Sequence, residues 1–503
     1  MDNWLDTLRI EGSQTPSYDR HSPANTPELC LIIALVTSVL VHECYINSLQ
    51  PSWVVNLGYT VYEGRSLLNC ITQWLGMRYA APLGSLRFAE PQDPLSTEPP
   101  TLCPHVPTCI PTGAYHVPSG TSEDSLFLDV FAPSPAKDLS SLPVFFWIQG
   151  RGFNSDSNAN YNASGLIEAS NMSIVVVTFN YRVGLYRFLA STEVQEEHAS
   201  LNNGLKDQIK ALHWVQEHIG KFDGDPNHAV LGGDSPSGRN DDLFHVAAAA
   251  ESQGFGLSRT GCAGNSDTLA CLRALDTASL QRENFNIPYP NAQEPPLYLY
   301  GPTIDGSLVE DYTYRLFEED RFIKAPVIFG DDTNKGTIFV PRNVSSVEEA
   351  DMFLVDQYPD LLKSRLEQVN SWYLTKDKTK TFRDPGPYWR STSDAYGEIR
   401  YTCARNLSIF SLFQSSPSGI GVSHTVKVNA IWGPQYVSGK APSSYKVLTS
   451  FIKIFDPNLY RHPGSRGAYS RIFIKTRHTK MEKVPKAQRM RCKYPSEIGV
   501  ELG

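Results

Sequence analysis

Short apolar runs bounded by turn residues alternate along this chain with stretches whose apolar positions recur at helical spacing. Leu142-Pro-Val-Phe-Phe-Trp-Ile148 and Ser173-Ile-Val-Val-Val-Thr-Phe179 are rich in β-branched and aromatic residues, which predicts two buried strands. Between Asn202 and Phe222, Leu205, Ile209, Leu212, Val215 and Ile219 predict an amphipathic helix, with Gly224-Asp-Pro-Asn227 as its closing turn. Ala229-Val-Leu231 follows as another short strand. Strand, helix and strand in this order predict an α/β fold, with a mixed, mostly parallel sheet covered by helices on both faces.

Composition narrows what such a fold is for. The 503 residues are 41% hydrophobic, enough for a large core. A net charge of -8 gives no electrostatic reason to expect nucleic acid as a partner. The nine cysteines include no pair of Cys-x-x-Cys units, so no metal site is expected, and a few disulfides are the better reading. Asn162, Asn171, Asn343 and Asn406 each open an Asn-x-Ser triplet, consistent with glycosylation and passage through an oxidising secretory route. Leu29 to Val41 is an apolar run of signal-peptide length, behind a leader with more acidic than basic residues. It reads as a signal or membrane signal-anchor, with an apolar helix of the domain or a mis-assigned start as alternatives. No internal repeat or low-complexity tract appears, so the simplest division is an N-terminal extension over 1–48 and one domain over 49–503.

Directly after the strand at Ala229 stands Gly232-Gly-Asp-Ser235-Pro-Ser-Gly238, which approximates the Gly-x-Ser-x-Gly nucleophile elbow. Taken alone, such a loop is an ordinary turn. A second feature changes that reading: the strand Leu142 to Ile148 runs into Gln149-Gly-Arg-Gly-Phe153, where a hydrolase of this kind places backbone N–H groups that receive an oxyanion.

Further segments carry a family resemblance. They are Trp53-Val-Val-Asn-Leu-Gly-Tyr59, Gln73-Trp-Leu-Gly-Met-Arg-Tyr-Ala-Ala81, Ser122-Glu-Asp-Ser-Leu-Phe-Leu-Asp-Val130, Asn180-Tyr-Arg-Val-Gly184, Ala199 to Gln208, Val422-Ser-His-Thr425 and Phe455-Asp-Pro-Asn458. With the elbow they run from about Trp53 to Cys492, and the chain resembles the type-B carboxylesterases, especially their fungal secreted branch, with the cholinesterases as relatives. The resemblance implies an α/β-hydrolase fold, no cofactor, and hydrolysis of a small carboxylic ester through an acyl-enzyme. It puts Ser235 in the nucleophile position and His424 in the base position. It also implies disulfides Cys262–Cys271 and Cys403–Cys492, and makes Cys109 half of a third whose partner position holds Ser125.

The same resemblance exposes breaks. The acid position, a glutamate in the family, is Lys335, and Asp331 and Asp332 nearby would substitute only if their loop shifted. Pro236 follows the nucleophile and has no N–H to give, while Arg151 replaces the middle glycine of the oxyanion loop and leaves Gly152 as the surviving donor. Only Pro236 to Asp242 separate the elbow from the next matching segment, too few for a strand-helix-strand crossover. Either the helix behind the elbow is missing, or it is rebuilt from Asp241 to Glu251. The expectation is a carboxylic ester hydrolase by descent with weak or no activity. A non-catalytic binding protein on the cholinesterase fold, or the product of a defective gene, is the rival.

Overall fold

The computed structural model describes residues 53–498 apart from 68, 97–105, 135–140, 156–160, 192–195, 197–199, 236–257, 375–384, 404–409, 414–419, 421, 426–427, 433–443, 457–469 and 476–477. All of them fall within one compact unit, Pro51–Gly503. Leu29 to Val41 and the crossover segment after the elbow lie outside the described residues.

Seven strands form the main sheet. β1 (Trp53–Asn56), β2 (Val61–Leu67) and β3 (Ile71–Arg78) make an antiparallel meander, and the small pair β4 (Thr108–Cys109) and β5 (Thr121–Ser122) lies apart. β6 (Phe127–Pro133) pairs antiparallel with β3 and with β8 (Val175–Phe179). β7 (Leu142–Ile148) then pairs in parallel with β8 on one side and β9 (Gly224–Gly233) on the other.

Alternation along β7 explains why its sequence reads as a continuous apolar run. Val144, Phe146 and Ile148 join one core cluster, with Ala211, Trp214 and Val215 of the helix Asn203–His218. Phe145 and Trp147 join another on the opposite side, with Leu166 and Ile167 of the helix Ser164–Ala169 and with Trp432. Both faces of the strand are buried, as a sheet covered by helices on both sides requires.

Two local readings change. In the helix Asn203–His218 the expected stripe residue Ile209 is exposed, and Ala211 and Trp214 take the buried face instead. Trp214 Nε1–H donates to the Tyr59 hydroxyl at 2.9 Å, which turns that face toward the N-terminal strands. Asp223, at φ +62°, ends the helical stretch, and Gly224 to Asn227 belong to β9 rather than to a turn, because Gly224 pairs with Leu142. There a Cβ on Gly224 would lie 2.6 Å from Ile219 Cγ1.

β10 (Gly330–Asp332), β11 (Phe410–Phe413), β12 (Ser470–Lys475) and β13 (His478–Lys483) form a second sheet. Among the described residues β9 is an edge strand, and Leu231 on it is 55% exposed. The helices Val347–Gln357, Lys363–Tyr373 and Trp389–Gly397 pack around their own cluster of Phe353, Leu354, Val369 and Tyr396. Disulfides join Cys262 to Cys271 and Cys403 to Cys492, as the resemblance implies. Cys109 Sγ lies 2.6 Å from Ser125 Oγ, which puts the half-cystine position against its serine partner.

Candidate active site

β9 delivers Ser235 through a turn that forces its backbone to φ +54°, the left-handed region that disfavours any side chain. This is the geometry an exposed nucleophile on a strand-to-helix elbow needs. The Ser235 hydroxyl and His424 Nε2 are hydrogen-bonded at 2.7 Å, across 189 residues of sequence. His424 is buried, and its ring is flanked by Tyr401, with centroids 4.4 Å apart, and Phe339, at 5.3 Å.

The oxyanion loop docks directly on the elbow. Gly150 N–H donates to Asp234 Oδ1 at 2.8 Å, so this N–H is committed and does not face a substrate. A Cβ on Gly150 would lie 2.6 Å from Asp234 O and 2.8 Å from Ser235 Cβ, so only glycine permits this contact. Arg151, Gly152 and Phe153 follow at φ +73°, +66° and +62°. The Arg151 side chain is exposed, so the replacement is accommodated by backbone strain, on the order of 1–2 kcal/mol for a residue with a Cβ. Gly152 remains the candidate oxyanion donor. Pro236 lies outside the described residues, and by its covalent structure it offers no N–H.

Lys335 comes to the site on the loop after β10, and two clamps fix that loop against the histidine loop. Asn334 Oδ1 accepts from Val422 N–H at 3.0 Å while Asn334 N–H donates to Val422 O at 2.9 Å. Asp332 Oδ2 accepts from Thr425 N–H at 3.1 Å. Asp332 is buried, and this oxygen is spent on backbone beside His424. Lys335 itself is buried, with Nζ 5.5 Å from the Tyr401 ring that also packs on His424. The Tyr401 ring thus lies against both the Lys335 ammonium and the His424 imidazole.

Sequence reasoning missed Tyr401 and Phe339, which hold the imidazole, and Asn334 and Asp332 as clamps. An isolated aromatic or amide carries no motif, so nothing in the sequence pattern marks them. Asn162, Asn171 and Asn343 are exposed, and Asn406 lies outside the described residues. Among the described residues no group of His, Cys, Asp and Glu is placed to hold a metal ion, and no helix is long and apolar enough to cross a membrane.

Four likenesses to known proteins bear on the chain. The chain matches the model of the Carboxylesterase family over residues 57–250. It is 32% identical to Lipase 1 of Geotrichum candidum over 265 residues, covering 45% of this chain and about half, 47%, of that relative. Secreted lipase 4 of Gibberella zeae is 27% identical over 460 residues, 80% of this chain and 82% of the relative. Among solved structures, Aspergillus niger EstA superposes with a TM-score of 0.83 at 33% identity, over 90% of this chain and 99% of that one.

Proposed function

We propose, for a chain that belongs to the carboxylesterase family and carries its α/β-hydrolase fold, that Ser235 and His424 form a working nucleophile and base whose turnover is weak. The observation that carries this is the 2.7 Å hydrogen bond between them on a left-handed elbow. Descent from ester hydrolases sets the reaction class. Ser235 Oγ attacks the ester carbonyl carbon as its proton passes to His424 Nε2, and collapse of the tetrahedral intermediate expels the alcohol, which takes that proton. Water, activated by the same imidazole, then releases the acid and restores the serine.

Each half of this cycle meets an obstacle. Charge that develops on the imidazole faces Lys335 instead of a carboxylate, a loss worth about 10⁴ in turnover in the triad template. The oxyanion has Gly152 N–H but nothing from Pro236, and one lost donor costs roughly 10²- to 10³-fold. These factors do not multiply, because base, orienter and donors act as one unit.

The test is incubation of the purified protein with an aryl phosphonate, followed by peptide mapping, beside slow hydrolysis of a short-chain aryl ester. Label on Ser235, and loss of both signals in Ser235→Ala, is the expected result. A folded protein that takes no label at Ser235 would leave the second reading, a binding protein on an esterase scaffold, which the buried Lys335 favours. We also propose entry into the secretory pathway, supported by the two disulfides, by the exposed Asn162, Asn171 and Asn343 triplets, and by likeness to a secreted lipase.

A further inference from the structure

Behind the oxyanion loop sits a guanidinium that the reaction as described does not use. Arg187 is 1% exposed. Its Nε, Nη1 and Nη2 are all buried, and among the described residues no acceptor meets them in normal hydrogen-bond geometry, although the Tyr181 hydroxyl is near enough to favour the cation. Three rings enclose the cation: Phe188 at 3.9 Å from Cζ to centroid, Tyr181 at 4.4 Å and Phe153 at 4.7 Å. On another side it presses on the first turn of the helix Asn203–His218, where a Cβ on Gly204 would fall 1.4 Å from Nε.

The nearby carboxylate does not neutralise it. Asp207, fully buried, accepts from Arg182 Nε at 2.8 Å, Nη2 at 2.7 Å and backbone N–H at 3.1 Å. Burial pulls the Arg187 guanidinium down to about 10, with Tyr181 and Asp207 opposing, so it stays charged at neutral pH. A positive charge without a bonded counter-charge is thus held in a dry, aromatic cage, where its field is poorly screened.

Two walls of the cage belong to, or are tied to, the oxyanion loop. Phe153 follows Gly152 directly, and Phe153 O accepts from Gly184 N–H at 2.8 Å. The Tyr181 hydroxyl donates to Gln149 O at the other end of the loop. We propose that Arg187 is a positioning residue for the oxyanion loop: through Phe153 it holds the left-handed run Arg151 to Phe153, and its unneutralised charge makes Gly152 N–H a better receiver of negative charge. The proposal deepens the reading of Ser235 as nucleophile and rests on it. It offers partial compensation for the donor that Pro236 cannot supply.

An arylboronic acid is the probe. Ser235 Oγ bonds to boron, the hydroxyl proton passes to His424, and boron becomes a tetrahedral anion with one oxygen toward Gly152. Boron NMR detects that adduct, and a non-electrophilic amide of the same aryl group measures neutral binding. Arg187→Met keeps volume and removes charge, and is expected to weaken the boronate by roughly tenfold while leaving the amide unchanged. Arg187→Lys keeps charge and is expected to retain most of the boronate affinity; Arg187→Gln replaces Arg187→Met if the latter does not fold. Equal boronate affinity in the folded neutral variant and wild type overturns the proposal, as does equal loss of boronate and amide, which marks a structural role only. A wild type that forms no tetrahedral boron sinks the nucleophile reading itself, and the proposal with it.

Discussion

Replacing Lys335 tests whether its charge is felt at the proposed base. Lys335 Nζ lies 5.5 Å from the centre of the Tyr401 ring, and that centre lies 4.4 Å from the centre of the His424 ring. Together the two spans hold the ammonium within about 10 Å of the imidazole centre, where like charges at an effective dielectric near 20 repel by roughly 1.7 kcal/mol. In rate terms that is about 18-fold on any step that charges the imidazole. Lys335→Met removes the repulsion and places an apolar group of similar length in a buried site. Lys335→Glu adds attraction of similar size, a total swing of about 3.4 kcal/mol, or roughly 300-fold. Both figures are ceilings while Pro236 leaves the oxyanion short of a donor, and Lys335→Glu with Pro236→Ala is expected to gain more than the two single gains multiplied. Aryl-ester hydrolysis and the rate of phosphonate labelling at Ser235 measure the effect, with circular dichroism as the check on folding. If both Lys335 variants fold, label at the wild-type rate and hydrolyse no faster, the ammonium is not felt at the base and the electrostatic account is wrong.

Three further outcomes are expected. Cys109 Sγ stands 2.6 Å from Ser125 Oγ, so Ser125→Cys should close a bridge worth about 3 kcal/mol for a loop near 15 residues; non-reducing peptide mapping and a Tm that falls on adding reductant check it. Burial pushes Asp129, fully enclosed on β6 and accepting from Gly76 N–H at 2.7 Å, up to about 7 from 3.8. Because the folded state keeps this proton where the unfolded chain has lost it, stability should fall as pH rises from about 4 to 7, by ~4 kcal/mol at most. Asp129→Asn should flatten that slope in urea titrations, and parallel slopes in the two proteins would refute the assignment. Protein from a eukaryotic host should shift in gel mobility on glycosidase treatment, and an unchanged band would count against the secretory reading.

The parts legible in the sequence were those whose signal is local. β7 and β8 were readable because burial on both faces leaves an unbroken apolar run, and the helix Asn203–His218 because its period survives even with Ile209 turned outward. Gly224 to Asn227 misled, since a Gly-Asp-Pro-Asn stretch has turn chemistry while its pairing with Leu142 is decided 82 residues away. At the site, Ser235 and His424 came from motif. The groups around them, Asn334, Asp332 and Tyr401, and Arg187 behind the oxyanion loop, act through contacts that exist only once distant segments meet. Arg187 is the sharpest case, because an arginine in a short helix reads as solvated until the rings around it are seen.

The clamps between Asn334 and Val422, and between Asp332 and Thr425, hold the third position against the histidine loop whichever side chain position 335 carries. Every lysine codon differs from a glutamate codon by a single transition, so on the proposed reading a carboxylate at this position is one base change away. Selection that rewarded ester cleavage would therefore meet a short mutational path at this position.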